Sequence, residues 1–213
     1  SGIIGSEIAA KAAPDGHTLV ILTSQAVIVS VMYKNLTYDL VRDFAPIGLV
    51  AWTPFILAVH PSVPTTTVKE FISHAKSRPG KLRYGSGGTG SPPHLSFEMF
   101  KTMAGIDMLH VPYKGVTPAM TDTIANEVQA IISVVPAILP TVKAGRLRAL
   151  GVTSVKRAPL APDVPTIAET VPGYEFIGWY SLAAPAKTPP AVLDKINDEL
   201  ERTLSTPEFR EHL

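Results

Sequence analysis

The sequence contains no cysteine among its 213 residues. Disulfides, zinc-thiolate sites and cysteine nucleophiles are therefore excluded within it, although this absence does not fix the compartment. An excess of charge is also missing, since 19 basic and 18 acidic residues give a formal net charge of +1. Without a basic run or an acidic tail, the sequence carries no electrostatic footprint for nucleic acid or for a charged membrane surface.

Several functional signatures are absent as well. No apolar run approaches the length of a membrane span, and no signal peptide is present. Neither a G-x-S-x-G nucleophile elbow nor a phosphate-binding P-loop occurs. The six histidines lack metal-ligand spacing, and no pair of carboxylates converges on one motif. We therefore predict no catalytic residue, no metal site and no cofactor, and we do not expect an enzyme.

What the sequence does have is a high apolar content, 46%, in runs that alternate between strand and helix patterns. This alternation predicts a parallel α/β architecture. Residues 53–179 contain about five predicted strands and are expected to form one complete lobe. Residues 1–52 and 180–213 supply few strands, so we expect them to form a second, incomplete lobe.

The most distinctive stretch is residues 84–95, which read YGSGGTGSPPHL between a predicted strand and a predicted helix. Ser91 is a good N-cap, and the two following prolines suit a first helical turn, where a missing N–H costs nothing. A glycine loop that leads into a helix N-terminus offers free amides and a positive dipole end. We therefore predict an anion site here, on a loop that we expect to be exposed.

Two other places offer similar chemistry. Thr117-Pro118 predicts a second helix start with a hydroxyl N-cap, and polar residues follow the strand that ends near residue 23. His94 either faces the ligand or bonds the loop backbone, whereas His110 reads as a core or surface histidine. The predicted ligand-binding residues are Thr23, Ser24, Gln25, Ser86, Gly87, Gly88, Thr89, Gly90, Ser91, His94, Tyr113, Lys114, Gly115, Thr117 and Ser133.

The nature of the anion is open from the residues alone. Gly85, Gly87 and Gly90 fit G-x-G-x-x-G, the dinucleotide fingerprint. A dinucleotide site also needs an acidic residue at the end of the next strand, but Asp107 precedes that strand. A glycine-rich turn without any ligand is a further alternative. The loop offers mainly neutral hydrogen-bond donors, namely amides and hydroxyls. Three or four such donors can hold a carboxylate without a formal positive charge.

The ordered set of motifs resembles the solute-binding proteins of tripartite tricarboxylate transporters, the Bug family. The resemblance covers nearly the whole chain and rests on residues 86–95, 110–115, 13–16, 43–46, 59–62, 143–150 and 163–166. It implies a two-lobed periplasmic-binding-protein fold of type II, a small carboxylate ligand, and large and small membrane subunits as partners. It also implies a periplasmic monomer. In this family more chain lies on both sides, so we expect this sequence to be a fragment.

Two expectations follow from comparison with that family. Members commonly carry Asp at the position of Ser133, where the acid either pairs with a ligand ammonium group or holds a bridging water. Serine cannot neutralise a buried cation, which favours a plain carboxylate over an α-amino acid. Val29-Ser30 replaces a usual Asn-Pro pair, a departure on the first-lobe side of the site. The alternative hypothesis is the effector-binding lobe pair of a LysR-type transcription regulator, which has a similar fold.

Overall fold

The structure is a computed structural model that describes residues 2–212. The chain divides into two compact units. The first unit comprises Ser1–Trp52 and Trp179–Leu213, and the second comprises Thr53–Gly178. The chain therefore passes between the units twice, once after Trp52 and once before Trp179.

The first unit is built around a short antiparallel strand pair. Its elements are α1 (Ile3–Ala10), β1 (Val20–Thr23), α2 (Ser24–Met32), the first part of β2 (Phe44–Val59), the last part of β7 (Ile177–Pro185), α7 (Pro190–Leu204) and α8 (Pro207–His212). Strand β1 pairs antiparallel with β7, from Val20 opposite Ala183 to Thr23 opposite Tyr180. The core of this unit gathers Ala9, Tyr38, Phe44 and Ala183.

The second unit alternates strands and helices along the chain. It contains the rest of β2, α3 (Val68–Lys76), β3 (Arg83–Ser86), α4 (Pro92–Ala104), β4 (Leu109–Pro112), α5 (Val116–Ile124), β5 (Ala130–Val134), α6 (Val135–Lys143), β6 (Arg148–Val152), a 3-10 turn (Ile167–Glu169) and the start of β7. Within residues 2–212, none of the helices combines the length and apolarity needed to cross a membrane.

The sheet of the second unit is mixed, so the prediction of a parallel sheet is only partly right. Strand β3 runs parallel to both β4 and β5. Strand β2, in contrast, pairs antiparallel with β5 and with β6. Strands β2 and β3 run in opposite directions although helix α3 connects them, so a helix between two strands does not by itself make them parallel.

Strict alternation along β2 and β5 separates two cores. Leu57 and Ile132 belong to the cluster that contains Phe97 and Phe100 of α4. Ile56 and Ile131 belong to the cluster under α5 and α6. Successive strand residues point to opposite faces, so both faces of this sheet are buried. The face on which a β5 side chain lies therefore decides which helix it meets.

Hydroxyl side chains bond the backbone near two helix starts. Thr67 caps α3, because its Oγ1 accepts a 3.1 Å hydrogen bond from the Glu70 amide. The Glu70 carboxylate in turn accepts a 2.7 Å hydrogen bond from the Thr66 amide. Before α7, Thr188 Oγ1 donates to the Pro185 carbonyl, and the N-cap residue is Pro189.

Candidate anion-binding site

The glycine loop, residues 86–91, joins β3 to α4. Gly88 and Gly90 have φ values of +121° and +76°, which L side chains rarely adopt. A Cβ atom on Gly88 would also lie 3.2 Å from the Tyr113 carbonyl oxygen. Glycine is therefore required here both for backbone conformation and for close approach to the next loop.

The loop is less exposed than predicted. Ser86, Gly90 and Ser91 are buried, and of the six loop residues only Thr89 is exposed. Ser91 does cap α4 as predicted, because its Oγ accepts a 3.4 Å hydrogen bond from the His94 amide. Since that hydroxyl stabilises the helix, truncating Ser91 is expected to cost about 1 kcal/mol of stability in addition to any effect on a ligand.

The Ser86 hydroxyl is used inside the loop. It accepts a 3.2 Å hydrogen bond from the Gly88 amide and lies 2.7 Å from His110 Nε2 on β4. The Gly90 amide donates to His94 Nδ1 at 3.2 Å. His94 thus bonds the loop backbone, one of the two roles considered for it. Sequence patterns missed His110, because only the β3–β4 register, which sets Tyr84 beside His110, brings its ring to the loop.

A second loop, residues 113–115, leads from β4 into α5. The N-cap of α5 is Gly115, with φ 122° and ψ 167°. The prediction that Thr117 caps this helix is wrong, because Thr117 already lies within its first turn. Glycine has no side chain with which to cap, and the first amides of a helix have no partner within the helix. The backbone amides of Val116 and Thr117, in the first turn of α5, are therefore available as hydrogen-bond donors to a ligand.

The two loops meet. A Cβ atom on Gly87 would lie 3.4 Å from both the Gly115 carbonyl carbon and the Val116 nitrogen. The Tyr113 amide donates to the Ser86 carbonyl at 3.0 Å, which fixes the second loop against the first. The start of α5 thus lies directly against the glycine loop that leads into α4, and helix N-termini favour anions.

Ser133 lies on the same side of the sheet. It pairs with Ile56, and alternation places its side chain with that of Ile131, on the face covered by α5. The parallel β3–β5 pairing includes Gly85 beside Ile131, so Ser133 lies further along β5, towards the edge of the sheet at which the glycine loop leaves β3. Ser133 is fully buried, and its Oγ is one of two buried side-chain polar atoms without a hydrogen-bond partner in the described part of the chain.

The other side chains of this unit that were predicted to bind a ligand either make a hydrogen bond within the protein or are exposed to solvent. The Tyr113 hydroxyl donates to Asp122 Oδ2 at 2.7 Å. Burial, and then this bond to a carboxylate, raise the pKa of Tyr113 to about 12, so the phenol stays a neutral donor. Lys114 and Thr117 are exposed. The site therefore consists mainly of neutral donors.

Thr23, Ser24 and Gln25 belong to the first unit. Strand β1 ends at Thr23 and α2 begins at Ser24, so Thr23, and not Ser24, is the N-cap residue. Thr23 and Gln25 line a pocket of about 330 Å³, together with Ser6 of α1 and Tyr38. Their role as ligand residues stays a prediction.

Comparison with known proteins gives three solved structures of high similarity. Rpa4515 from R. palustris, solved with adipate, is 38% identical with a TM-score of 0.89, over 98% of this chain and 70% of its own. The periplasmic binding protein BugD is 32% identical with a TM-score of 0.87, over 99% and 71%. MatC from Rhodopseudomonas palustris, with bound malate, is 28% identical with a TM-score of 0.86, over 98% and 72%.

These matches confirm the predicted binding-protein fold class. The chain spans 64% of the length of the first curated relatives that it matches. Residues 1–213 match the family described as the tripartite tricarboxylate transporter family receptor, which decides against the transcription-regulator alternative. The family and fold are those of binding proteins and not of enzymes. The chain therefore belongs to the tripartite tricarboxylate transporter receptor family.

Proposed function

We propose that this chain is part of a periplasmic solute-binding protein that captures a small carboxylate for a tripartite tricarboxylate-type transporter. The observation that carries the proposal is the Ser133 hydroxyl, which is buried without a partner on the α5 face near the end of β5. A buried polar atom without a partner costs free energy, and a bound oxygen atom offers it one. Two of the similar solved structures are of proteins with adipate and with malate, and both of these ligands are carboxylates.

The donors in the second unit are sufficient for this task. A carboxylate that leaves water loses several kcal/mol of hydration. Charge-assisted hydrogen bonds return about 1.5–3 kcal/mol each. The amides of Val116 and Thr117, with the hydroxyls of Thr89 and Ser133, provide enough such bonds. No cationic side chain is needed, and none of these groups has an evident role in bond making or breaking.

The ligand class follows from the same serine. Ser133 can donate or accept a hydrogen bond but carries no charge. An ammonium group brought to this buried place would lose hydration without a counter-charge. We therefore propose that a plain mono-, di- or tricarboxylate is preferred over an α-amino acid.

The remaining parts of the proposal concern the complete protein. Its two units are proposed to be the two lobes of the binding protein, with Thr23, Ser24 and Gln25 as ligand residues of the first. The partners are the large and small membrane subunits of the transporter. The protein is proposed to act in the periplasm as a monomer.

A thermal-shift panel on the complete protein tests the ligand class. Adipate, malate, succinate, citrate and aromatic carboxylates are compared with aspartate and glutamate. At least one plain carboxylate is expected to raise the melting temperature, because a ligand that binds only the folded state stabilises it. Stabilisation by aspartate or glutamate alone would contradict the proposal.

Ser133→Ala separates binding from stability. The variant removes an unpartnered polar atom, so the ligand-free protein is expected to be as stable as the wild type or more stable. Carboxylate affinity measured by calorimetry is expected to fall about tenfold, the equivalent of about 1.4 kcal/mol.

The matched control is Ser96→Ala. Ser96 is equally buried, but its Oγ lies 2.8 Å from the Tyr174 hydroxyl. This variant is expected to lose about 1 kcal/mol of stability and to keep its affinity, the reverse of Ser133→Ala. Equal affinity of Ser133→Ala and the wild type for a ligand that binds both would remove Ser133 from the site.

A further inference from the structure

A column of four stacked rings stands behind the glycine loop. The rings of His94 and His110 lie 4.1 Å apart between centroids. His110 stacks on Tyr84 at 4.9 Å, and Tyr84 stacks on Phe97 at 3.9 Å. Tyr84 and Phe97 are fully buried in the core of the second unit. The two imidazoles at the top of the column are thus held by the core and not by a ligand.

Each imidazole bonds a different part of the loop. His94 Nδ1 accepts from the Gly90 amide, which fixes the end of the loop that leads into α4. His110 Nε2 contacts the Ser86 hydroxyl, which itself accepts from the Gly88 amide. The pair therefore holds both ends of the segment whose amides and hydroxyls form the proposed anion site.

We propose that His94 and His110 are positioning residues, which hold the glycine loop in its ligand-binding conformation only while the His94 imidazole is neutral. For the loop itself the inference stands on geometry. For affinity it rests on the proposed carboxylate-binding function.

The reason lies in the direction of one hydrogen bond. Gly90 N–H needs a lone pair on His94 Nδ1, and a proton there would set two donors against each other. A second charge on His110 would face the first at stacking distance. A positively charged pair is therefore incompatible with the observed loop, even though a positive charge by itself attracts an anion.

The surrounding groups do not favour the charged form. In the described part of the chain, the titratable groups that face the pair are Tyr84 from β3 and Glu98 and Lys101 from α4. The Glu98 carboxylate already accepts from the Tyr84 hydroxyl and pairs with Lys101 at 2.8 Å. The negative charge of Glu98 is therefore largely balanced by these two partners, which weakens its attraction for a proton on either imidazole.

The pKa values move in the same direction. Burial lowers the pKa of His94, a shift that Glu98 opposes and Lys101 strengthens. Burial, and then the neighbouring His94, lower the pKa of His110 to about 4. The unfolded chain takes up these protons at about pH 6.5 and the folded chain only at lower pH, so stability decreases as the pH falls through that interval.

The first test needs no ligand. In the complete protein, the Gly88 and Gly90 amide signals are followed by NMR from about pH 7.5 to about pH 4.5. In the wild type the Gly90 signal is expected to shift as the pH falls, and the protection of its amide relative to the intrinsic exchange rate at each pH is expected to decrease. In His94→Asn the Gly90 amide signal is expected to stay constant over this pH range, because the asparagine side-chain oxygen accepts the Gly90 hydrogen bond and does not titrate.

Two further variants complete this test. His94→Phe keeps a stacked ring but has no acceptor, so its Gly90 amide is expected to show low protection from exchange at every pH. His60→Asn is the matched control, because His60 Nδ1 also accepts from a backbone amide, that of Ser62, and contacts none of the loop residues in the described chain. Identical pH responses of Gly90 in the wild type and His94→Asn would overturn the proposal.

The second test uses adipate and calorimetry at about pH 7.5 and about pH 5. Adipate itself gains protons over this range, and His94→Asn measures that loss alone. The wild type is expected to lose about threefold more affinity than His94→Asn, and an equal loss would contradict the inference. If adipate binds neither protein, the proposed ligand fails, while the NMR result still decides the role of the histidines.

Discussion

Phe97→Ala is expected to lower the free energy of unfolding by about 3–5 kcal/mol, the usual cost of removing a fully buried phenylalanine. Phe97 is 0% exposed, stacks on Tyr84 at 3.9 Å and meets Phe100 edge to face at 6.0 Å. Both contacts lie in the larger core of the second unit, where no solvent can fill the space left behind. Urea denaturation followed by circular dichroism measures the change.

The matched variant is Phe97→Leu, which keeps most of the apolar volume and is expected to lose less than half as much. Since the column rests on Phe97, the alanine variant is also expected to change the Gly90 amide signal in the folded state. Equal stability of Phe97→Ala and Phe97→Leu would show that this ring does not support the core.

Gly115→Ala is expected to lose about 1–3 kcal/mol of stability and at least about tenfold in carboxylate affinity. At φ 122° and ψ 167° the residue occupies a region that is essentially reserved for glycine. No atom lies within 4 Å of an added Cβ, so the whole cost is backbone strain. The chain relieves that strain by turning the first amides of α5 away from the glycine loop.

Gly5→Ala is the control for the stability part. Gly5 also has no atom within 4 Å of an added Cβ, but it lies within α1 at an ordinary helical φ. Alanine there is expected to stabilise the protein by about 0.5–1 kcal/mol. If Gly115→Ala were as stable as the wild type, the unusual backbone conformation of Gly115 would be refuted.

The features that the sequence predicted well are local. The α/β alternation, the glycine loop between β3 and α4 and the Ser91 cap each depend on residues a few positions apart. The predictions that failed depend on geometry from elsewhere. Thr117 has the right chemistry for a cap, but the extended turn at Gly115 starts the helix earlier.

The other features that the sequence did not predict depend on contacts between residues that are far apart in the chain. The antiparallel pairing of β2 with β5 joins strands that are far apart in the sequence, so no local pattern reveals it. His110 showed no sign of contact with the glycine loop until the β3–β4 register was known. The missing partner of Ser133 is likewise visible only in three dimensions, because nothing in a serine's neighbours along the chain says whether its hydroxyl is bonded.

A fluorescent side chain lies at each of the two places where the chain passes from one unit to the other. The sequence has only two tryptophans, and they are the residues at these passages, Trp52 and Trp179. The Trp52 side chain is 58% exposed, so its indole emission responds to the polarity around the first passage. Excitation selective for tryptophan therefore reports on these two joints, with no background from the stacked column, whose rings are tyrosine, phenylalanine and histidine.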